Sequence, residues 1–450
     1  MKNTHRKSDT GRILKQMVTL SIPTVLEMIM GTLLQYVDTA MVGHLGEEAT
    51  AAVSTTTTIG WLIGGAIHSV SISLLALMSR AVGEQNEERL KKLSEQAVFL
   101  ILLCAVLFGG ISIALSPYIP AWMGAAPEIR ETASAYFLII STPMLFRAAE
   151  SVCASCLRAS LDTKTPMIIN LSVGLLNVPL DYLFIYILKL GVRGAAYATA
   201  ICHVMGGTLM FLAFRKKKAF QFRMRKLKPD QAVLREIRKL ALPAMGTQMT
   251  SSLGYVVFAG LVSGMGTTVF AAHSIAVNAE TIFYIPGYGF SAAISAMTGV
   301  AIGEKNEKKL DTILRASVAM SVGVMLFNGL LLFAVADLMM QLFTNSQRVV
   351  SLGASMLRLV AFTEPFFGLM ICMQGLFYGM GRTKNVFVVE AFSMWGIRIL
   401  FTFLTVKVWQ LGLRQVWYCM IADNICKALL LTISMAVWRL GSRRQDHELL

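Results

Sequence analysis

Apolar blocks of roughly 20 to 28 residues recur twelve times along this 450-residue chain, parted by polar connections. A helix rises 1.5 Å per residue, so about 20 apolar residues cross a ~30 Å hydrocarbon core. Inside that core every backbone amide must find its partner within the chain, and for continuous apolar runs of this length only the helix provides that. The blocks lie near residues 17–43, 49–77, 94–115, 131–153, 166–188, 193–214, 237–263, 268–298, 313–337, 349–376, 386–406 and 411–436. Only 15% of residues are charged, against about 25% in soluble domains. The expected fold is an all-α polytopic membrane protein of 12 transmembrane helices. The N-terminal run follows the basic residues Lys2, Arg6, Lys7, Arg12 and Lys15 and contains Pro23 and Glu27, with no A-x-A site. It is too long for the apolar stretch of a cleavable signal peptide.

A net charge of +15 invites a nucleic-acid reading, but its distribution does not. Thirty of the 41 Lys and Arg fall in the two tails and the loops after even-numbered spans with their immediate flanks, and six in the loops on the other side with theirs. The remaining five, Arg147, Arg315, Arg358, Arg398 and Lys427, lie within spans. By the positive-inside rule this asymmetry predicts both termini in the cytoplasm of a cell-membrane protein. The basic excess then serves topology and contact with anionic lipid heads, with no nucleic-acid partner.

The basic loop at 215–236 separates two similar halves, 17–214 and 237–436, flanked by tails at 1–16 and 437–450. At a shift of 220 residues "VGEQNEERL" (82–90) falls on "IGEKNEKKL" (302–310), identical at five of nine positions. The same register pairs Pro23 with Pro243, Gly46 with Gly266, and Ala51-Ala52 with Ala271-Ala272; "LGVR" (190–193) meets "LGLR" (411–414) at 221. Six spans per half keep both halves in one orientation. This predicts two six-helix bundles related by a parallel pseudo-two-fold repeat, an arrangement typical of carriers with a site between bundles.

Acids inside the spans are the functional signal, because a charge at a helix centre costs about 2.5–3.5 kcal/mol on insertion scales. Asp38 stands in "QYVDTAMVGHLG" of span 1, and Glu27 eleven residues earlier shares its helical face, with Gly31 and Gln35 between them. Span 5 carries Asn177 and Asp181 one turn apart in "NVPLDYLF". Asp181 comes ~21 Å in from the cytoplasmic end of span 5, and Thr199 ~9 Å below the outer end of span 6, so both reach one depth in a ~30 Å core. Asp38 arrives at a similar level. Two carboxylates, an amide and a hydroxyl are hard oxygen donors suited to a proton or to Na⁺; the alternative is an interhelical hydrogen-bond cluster.

The second half does not copy these acids: the shift sets Phe258 against Asp38 and Phe401 against Asp181. Its own are Glu280, Glu364, Glu390 and Asp423, with Arg398 available as a partner. Each reads either as half of a buried ion pair or as a substrate contact. Glu280 and Tyr284 lie in "VNAETIFYIPGYGF", rich in aromatics and helix breakers, and with Glu27, Gln35, Tyr36, Glu364, Glu390 and Asp423 they form the cavity candidates. The 27 Met and 24 Phe suit a permissive surface for amphipathic cations, although gap-filling between helices accounts for most. The seven cysteines, all in or beside apolar segments and without metal-ligand spacing, read as small buried hydrophobes.

Four stretches resemble the multidrug and toxic compound extrusion (MATE) family of bacterial efflux transporters: "PTVLEMIMGTLLQYVDTAMVGHLG", "SRAVGEQN", "LRASLDTKTPMIINLSVGLLNVPLDYLFIYILKLGVRGAAYATAI" and "IFYIPGYGFSAAISAMTGVAIGEKN". The resemblance runs over essentially the whole chain. It implies a cation site in the N-terminal lobe at Asp38, Asn177, Asp181 and Thr199, and two lobes forming a V that alternates between inward-open and outward-open. Some members use an acid early in span 7; here "PAMGTQMTSSLGY" has none, a departure from their pattern.

The expected function is therefore cation-coupled antiport, driven by H⁺ or Na⁺, of small organic, amphipathic or cationic compounds by a monomer, without cofactor or enzymatic chemistry. Within the same superfamily the rival is a flippase for lipid-linked saccharides, which would more often line its cavity with bases. A channel is the rival from another class. No D-x-x-x-D pair for pyrophosphate chemistry and no G-x-x-x-x-G-K-[ST] for ATP occurs.

Overall fold

The computed structural model describes residues 2–220 and 228–447, with side chains over 10–220 and 228–440. The basic residues Arg223, Arg225 and Lys226 lie outside the described residues, as do the side chains of Lys2, Arg6, Lys7, Arg443 and Arg444. The described residues are almost entirely helical: α1 (Lys2–Gly43), α2 (Glu47–Gly83), α3 (Glu87–Leu115), α4 (Pro127–Ser141), α5 (Met144–Ala159), α6 (Lys164–Ile187) and α7 (Gly191–Lys216). Seven more follow: α8 (Gln231–Ser263), α9 (Thr267–Gly303), α10 (Glu307–Gln341), α11 (Gln347–Ala361), α12 (Glu364–Gly379), α13 (Thr383–Val408) and α14 (Leu413–His447).

Among the described residues nine helices are individually long and apolar enough to span a membrane. The pairs α4–α5 and α11–α12, bent by 50° and 57°, each make a broken span and bring the number to eleven. The twelfth is α8, 33 residues long, whose mean hydropathy is lowered by Arg235, Glu236, Arg238 and Lys239 at its start and by Thr247, Gln248, Thr250 and Ser251 beyond Pro243. The chain is thus an all-α, multi-pass membrane protein of twelve spans. Val106 is 75% exposed and Leu440 65%, the pattern of faces that meet lipid rather than water.

The sequence repeat is also a repeat of backbone conformation. α2 and α9 begin after Gly46 and Gly266, with φ of 114° and 108°, a region that L side chains rarely enter. α3 and α10 are capped alike: the Asn86 side chain accepts the Arg89 amide at 2.9 Å, and Asn306 the Lys309 amide at 3.0 Å. The preceding residues Gln85 and Lys305 are both left-handed, φ 52° and 51°. This explains why "GEQN" and "GEKN" recur: each builds a left-handed turn ending in a helix cap. π-helical turns occur at Leu183–Ile187 and Leu404–Val408, followed by left-handed Lys189 and Gln410.

The chain divides into two compact bundles. One contains Ile22–Met245 together with Ile302–Lys305; the other contains α1 as far as Ser21, Gly246–Ala301 and the chain from Asn306. The change of bundle falls inside α1 and inside α8, one to three residues from Pro23 and Pro243. Proline removes an i→i−4 hydrogen bond, so each helix changes bundle where its own ladder is weakest. In the first bundle Val42, Ala49, Ile185, Val192 and Ala195 form a buried cluster against Tyr136 and Tyr186. The larger core of the second bundle includes Phe258, Phe283 and Trp417. There His273 sits edge-on to Phe258 at 5.4 Å and to Trp417 at 6.0 Å. All seven cysteines are free, and all but half-buried Cys426 are buried.

Candidate functional site

In the first bundle two of the contacts between α1 and α6 bracket Asp38 and Asp181. Toward the middle of the helices, Gly174 leaves no room for a Cβ, which would lie 2.5 Å from Leu34 Cδ1. Farther along, the Tyr186 hydroxyl donates to the Met41 carbonyl at 2.8 Å. Asp38 lies between Leu34 and Met41, and Asn177 and Asp181 between Gly174 and Tyr186. The three side chains thereby fall within one stretch of the α1–α6 contact.

Asp181 is fully buried and Asp38 half-buried. Their carboxyls are electrostatic neighbours, and the Tyr136 phenol of α4 is a neighbour of both. Asp38 Oδ1, both Asp181 carboxylate oxygens and Asn177 Nδ2 are buried without a hydrogen-bond partner in the protein. Leaving such groups unpaired costs about 1–3 kcal/mol each, more if charged. The half-buried Thr199 on α7 lies one turn before Cys202, whose thiol neighbours Asn177 and donates to the Val173 carbonyl at 3.6 Å.

Glu27, on the same helix as Asp38, is held differently. Its two oxygens accept from Arg158 Nη2 at 2.8 and 2.9 Å, and Oε1 also accepts Asn170 Nδ2 at 2.6 Å. It is therefore charge-compensated within the bundle. Gln35 and Tyr36 are exposed. Glu150 on α5 pairs with His203 on α7 at 3.0 Å, a further polar contact.

The second bundle holds two arrangements of acids. Glu280 is buried, accepts the hydroxyl of Tyr284 one turn on, and is an electrostatic neighbour of Glu364. Glu364 opens α12 at the break from α11, with both carboxylate oxygens unpartnered. Tyr284 stacks on Phe367 at 3.9 Å, and Tyr288 meets the same ring edge-on at 6.0 Å. Four buried charges form a second set, linked to the first because Arg398 is also an electrostatic neighbour of Glu280. Arg398 lies 2.8 Å from Asp423, an ion pair by distance without hydrogen-bond alignment. Lys427 lies 3.1 Å from Asp423 and 2.9 Å from Glu390, which also accepts from Ser251 at 2.6 Å. Arg398 donates to Asn424 at 3.2 Å and lies 5.3 and 5.6 Å from the Tyr255 and Phe258 ring centroids. With two cations and two anions the set is neutral.

The site candidates thus separate by partner: Glu27, Glu390 and Asp423 are ion-paired with bases, Glu280 has Arg398 only as an electrostatic neighbour, and no ion pair holds Asp38, Asp181 or Glu364. Tyr136, Arg158, Asn170 and Glu150 were not singled out from sequence. Arg158 and Glu150 fall at or beyond the end of span 4, and Tyr136 reads as one more aromatic in an apolar run.

The family profile described as MatE matches twice, at residues 23–183 and 243–404. The chain belongs to the MatE family. Each MatE match opens on one of the paired prolines, so one profile covers one repeat. Among curated members, the chain is 26% identical over 437 residues to "Probable multidrug resistance protein NorM" of Thermotoga maritima, covering 95% of this chain and 93% of that protein. It is 26% identical over 396 residues to "Probable multidrug resistance protein YpnP" of Bacillus subtilis, covering 88% of each. A structure described as the outward-facing conformation of a multidrug resistance MATE family transporter of the MOP superfamily superposes with a TM-score of 0.90 at 23% identity, over 96% of both chains. A MOP superfamily transporter from Pyrococcus furiosus gives 0.89 at 23%, again over 96% of both. These likenesses establish the MATE fold.

Proposed function

We propose that the chain is a secondary active multidrug exporter that expels amphipathic organic cations in exchange for H⁺ or Na⁺, by alternating access. It acts as a monomer in the cell membrane, with both termini cytoplasmic. The observation that carries this reading is the pair Asp38 and Asp181, bracketed within one stretch of the α1–α6 contact, with carboxylate oxygens that no protein donor satisfies. Two neighbouring carboxylates in a low-dielectric bundle repel each other unless a cation or proton joins them. The coupling ion is cargo here, and Asn177 and Thr199 complete its set of polar neighbours.

In the cation-free state the acids attract positive charge and favour the substrate-accepting conformation. Entry of H⁺ or Na⁺ neutralises them and relaxes the demand on α1. The Glu27–Arg158–Asn170 contact anchors the turn of α1 after Pro23, so the rearrangement is confined to the segment from Gly31 to Thr39 beyond that anchor. The names of the curated relatives support the multidrug substrate class.

The test is efflux of a fluorescent organic cation from vesicles, with the pH gradient and the Na⁺ gradient imposed separately. One gradient drives efflux, and Asp38→Asn abolishes that drive. Full gradient-driven transport by the Asn variant would refute the coupling role.

A further inference from the structure

On the second bundle a cleft of about 320 Å³ is lined by Ser355, Met356, Arg358, Leu359, Phe362 and Arg414. Two guanidiniums in one cleft of a membrane-spanning bundle require an account, because each arginine there is costly unless paired. Arg358 is paired with Asp337 of α10 and lies 6.0 Å from the Phe333 ring centroid. Arg414 is not matched in this way. Its Nε donates to the neutral Tyr418 hydroxyl at 3.1 Å and its guanidinium lies over the same ring at 5.9 Å. The charges in the cleft therefore sum to one uncompensated positive charge.

Its level is fixed by three helix ends. α10 finishes at Gln341, α11 starts at Gln347 and α14 starts at Leu413, all on the side opposite the basic loops. Arg414 is the second residue of α14, and Asp337 lies four residues before the end of α10, about 6 Å at 1.5 Å per residue. Arg358 stands deeper along α11, but helical side chains tilt toward their own N-terminus, which returns its guanidinium to the level of Asp337. The cationic end of the cleft thus stands at headgroup depth. Below it, Phe362 is 71% exposed and packs edge-on against Phe333 at 5.3 Å, giving an apolar wall.

We infer that this cleft binds the phosphodiester headgroup of an anionic phospholipid, with the lipid's acyl chain along Phe362 and Phe333. Guanidinium is matched to phosphate by its forked donors as well as its charge. A single uncompensated charge fits a lipid of net charge −1 such as phosphatidylglycerol. A zwitterionic lipid brings its own ammonium and leaves the surplus in place. The inference rests on the membrane placement of the fold and is independent of which ion drives transport.

The test uses the purified full chain in detergent with a photoactivatable phosphatidylglycerol carrying its reactive group on the acyl chain, and a matched phosphatidylcholine probe. Adducts are mapped by peptide mass spectrometry. Phosphatidylglycerol should label the peptide containing Met356 to Phe362, and phosphatidylcholine should label it about tenfold less, because its own ammonium offsets the phosphodiester and leaves the Arg414 charge uncompensated. Arg414→Gln should remove that preference at unchanged Tm, and Arg414→Lys should restore much of it. Equal labelling by both probes, or an undiminished preference in Arg414→Gln, would overturn the inference. Competition by millimolar inorganic phosphate as effective as competition by unlabelled phosphatidylglycerol would overturn it too, since the site would then hold a free anion rather than a lipid.

Discussion

Replacing Lys427 by methionine keeps the side-chain length and deletes one charge from the neutral set Arg398, Asp423, Lys427 and Glu390. Lys427 is 4% exposed and Glu390 6%, so water screens neither. Glu390 would retain only the Ser251 hydroxyl at 2.6 Å, and Asp423 would keep Arg398. The set would carry one uncompensated negative charge, and breaking a buried pair in this way costs about 3–5 kcal/mol. Unfolding of a bundle of about 200 residues loses roughly 2 °C of Tm per kcal/mol, which places the single variant about 6–10 °C below the parent. Glu390→Gln has the opposite sign: Lys427 and Arg398 are left to share Asp423, with one uncompensated positive charge. The double variant Lys427→Met/Glu390→Gln is neutral again with Arg398–Asp423 intact, so its loss should fall short of the summed single losses by about 2–3 kcal/mol. Thermal unfolding in detergent, followed by tryptophan fluorescence with buried Trp417 on the same helix as a reporter, measures all four corners of this cycle. Additive losses would refute the neutral-set reading, as would single-variant shifts of 1 °C or less.

Glu27→Gln should lower Tm by stranding Arg158 at a cost of about 3 kcal/mol, yet leave gradient-driven efflux in vesicles, because Glu27 already has its own base. Gly207→Ala would bring a Cβ to 2.3 Å from the Phe146 carbonyl oxygen; overpacking α7 against α5 should destabilise by about 1–3 kcal/mol in thermal melts. In the loop after α5, burial raises the Asp162 carboxyl, but the Lys217 ammonium at 2.6 Å and the Thr165 amide at 3.1 Å outweigh it and hold it below the usual carboxylate range. A lowered folded value means stability that is present above the unfolded pKa of about 3.9 and lost as pH falls through the folded one. Melts between pH 6 and pH 3 should therefore show an acid-side loss in the parent that Asp162→Asn lacks.

Spans and repeat were legible because both are written as length and register: an apolar run must be about 20 residues, and a fixed shift of 220 aligns turn residues whose φ values agree to within a few degrees. That Asp38 and Asp181 are electrostatic neighbours agrees with the reading that rise per residue gives, since it converts position into depth. What lay hidden were partners. A helical wheel puts Glu27 and Asp38 on one face but cannot tell that Arg158, 131 residues on, meets only the first of them. Tyr136 was invisible because a tyrosine in an apolar span looks the same whether its hydroxyl faces a carboxyl or a lipid. Glu390 and Asp423 could not be told from Glu280 and Glu364 until Lys427, one turn beyond Asp423, was placed between the first two.

The change of bundle within α1 also bears on synthesis. Fully buried Met17 lies in the same bundle as Ser317, whose hydroxyl approaches its sulfur at 3.8 Å across 300 residues of sequence. The ribosome therefore releases the opening turns of α1 long before the helices that enclose them exist. During that interval this segment waits with an uncovered sulfur-bearing face, in the bilayer or on a chaperone. A polypeptide ending in the loop before α8 would leave Met17 permanently without its neighbours. The two halves, though repeats, are thus not interchangeable as separately made pieces: supplying the second half alone omits the strip of chain that finishes its own core.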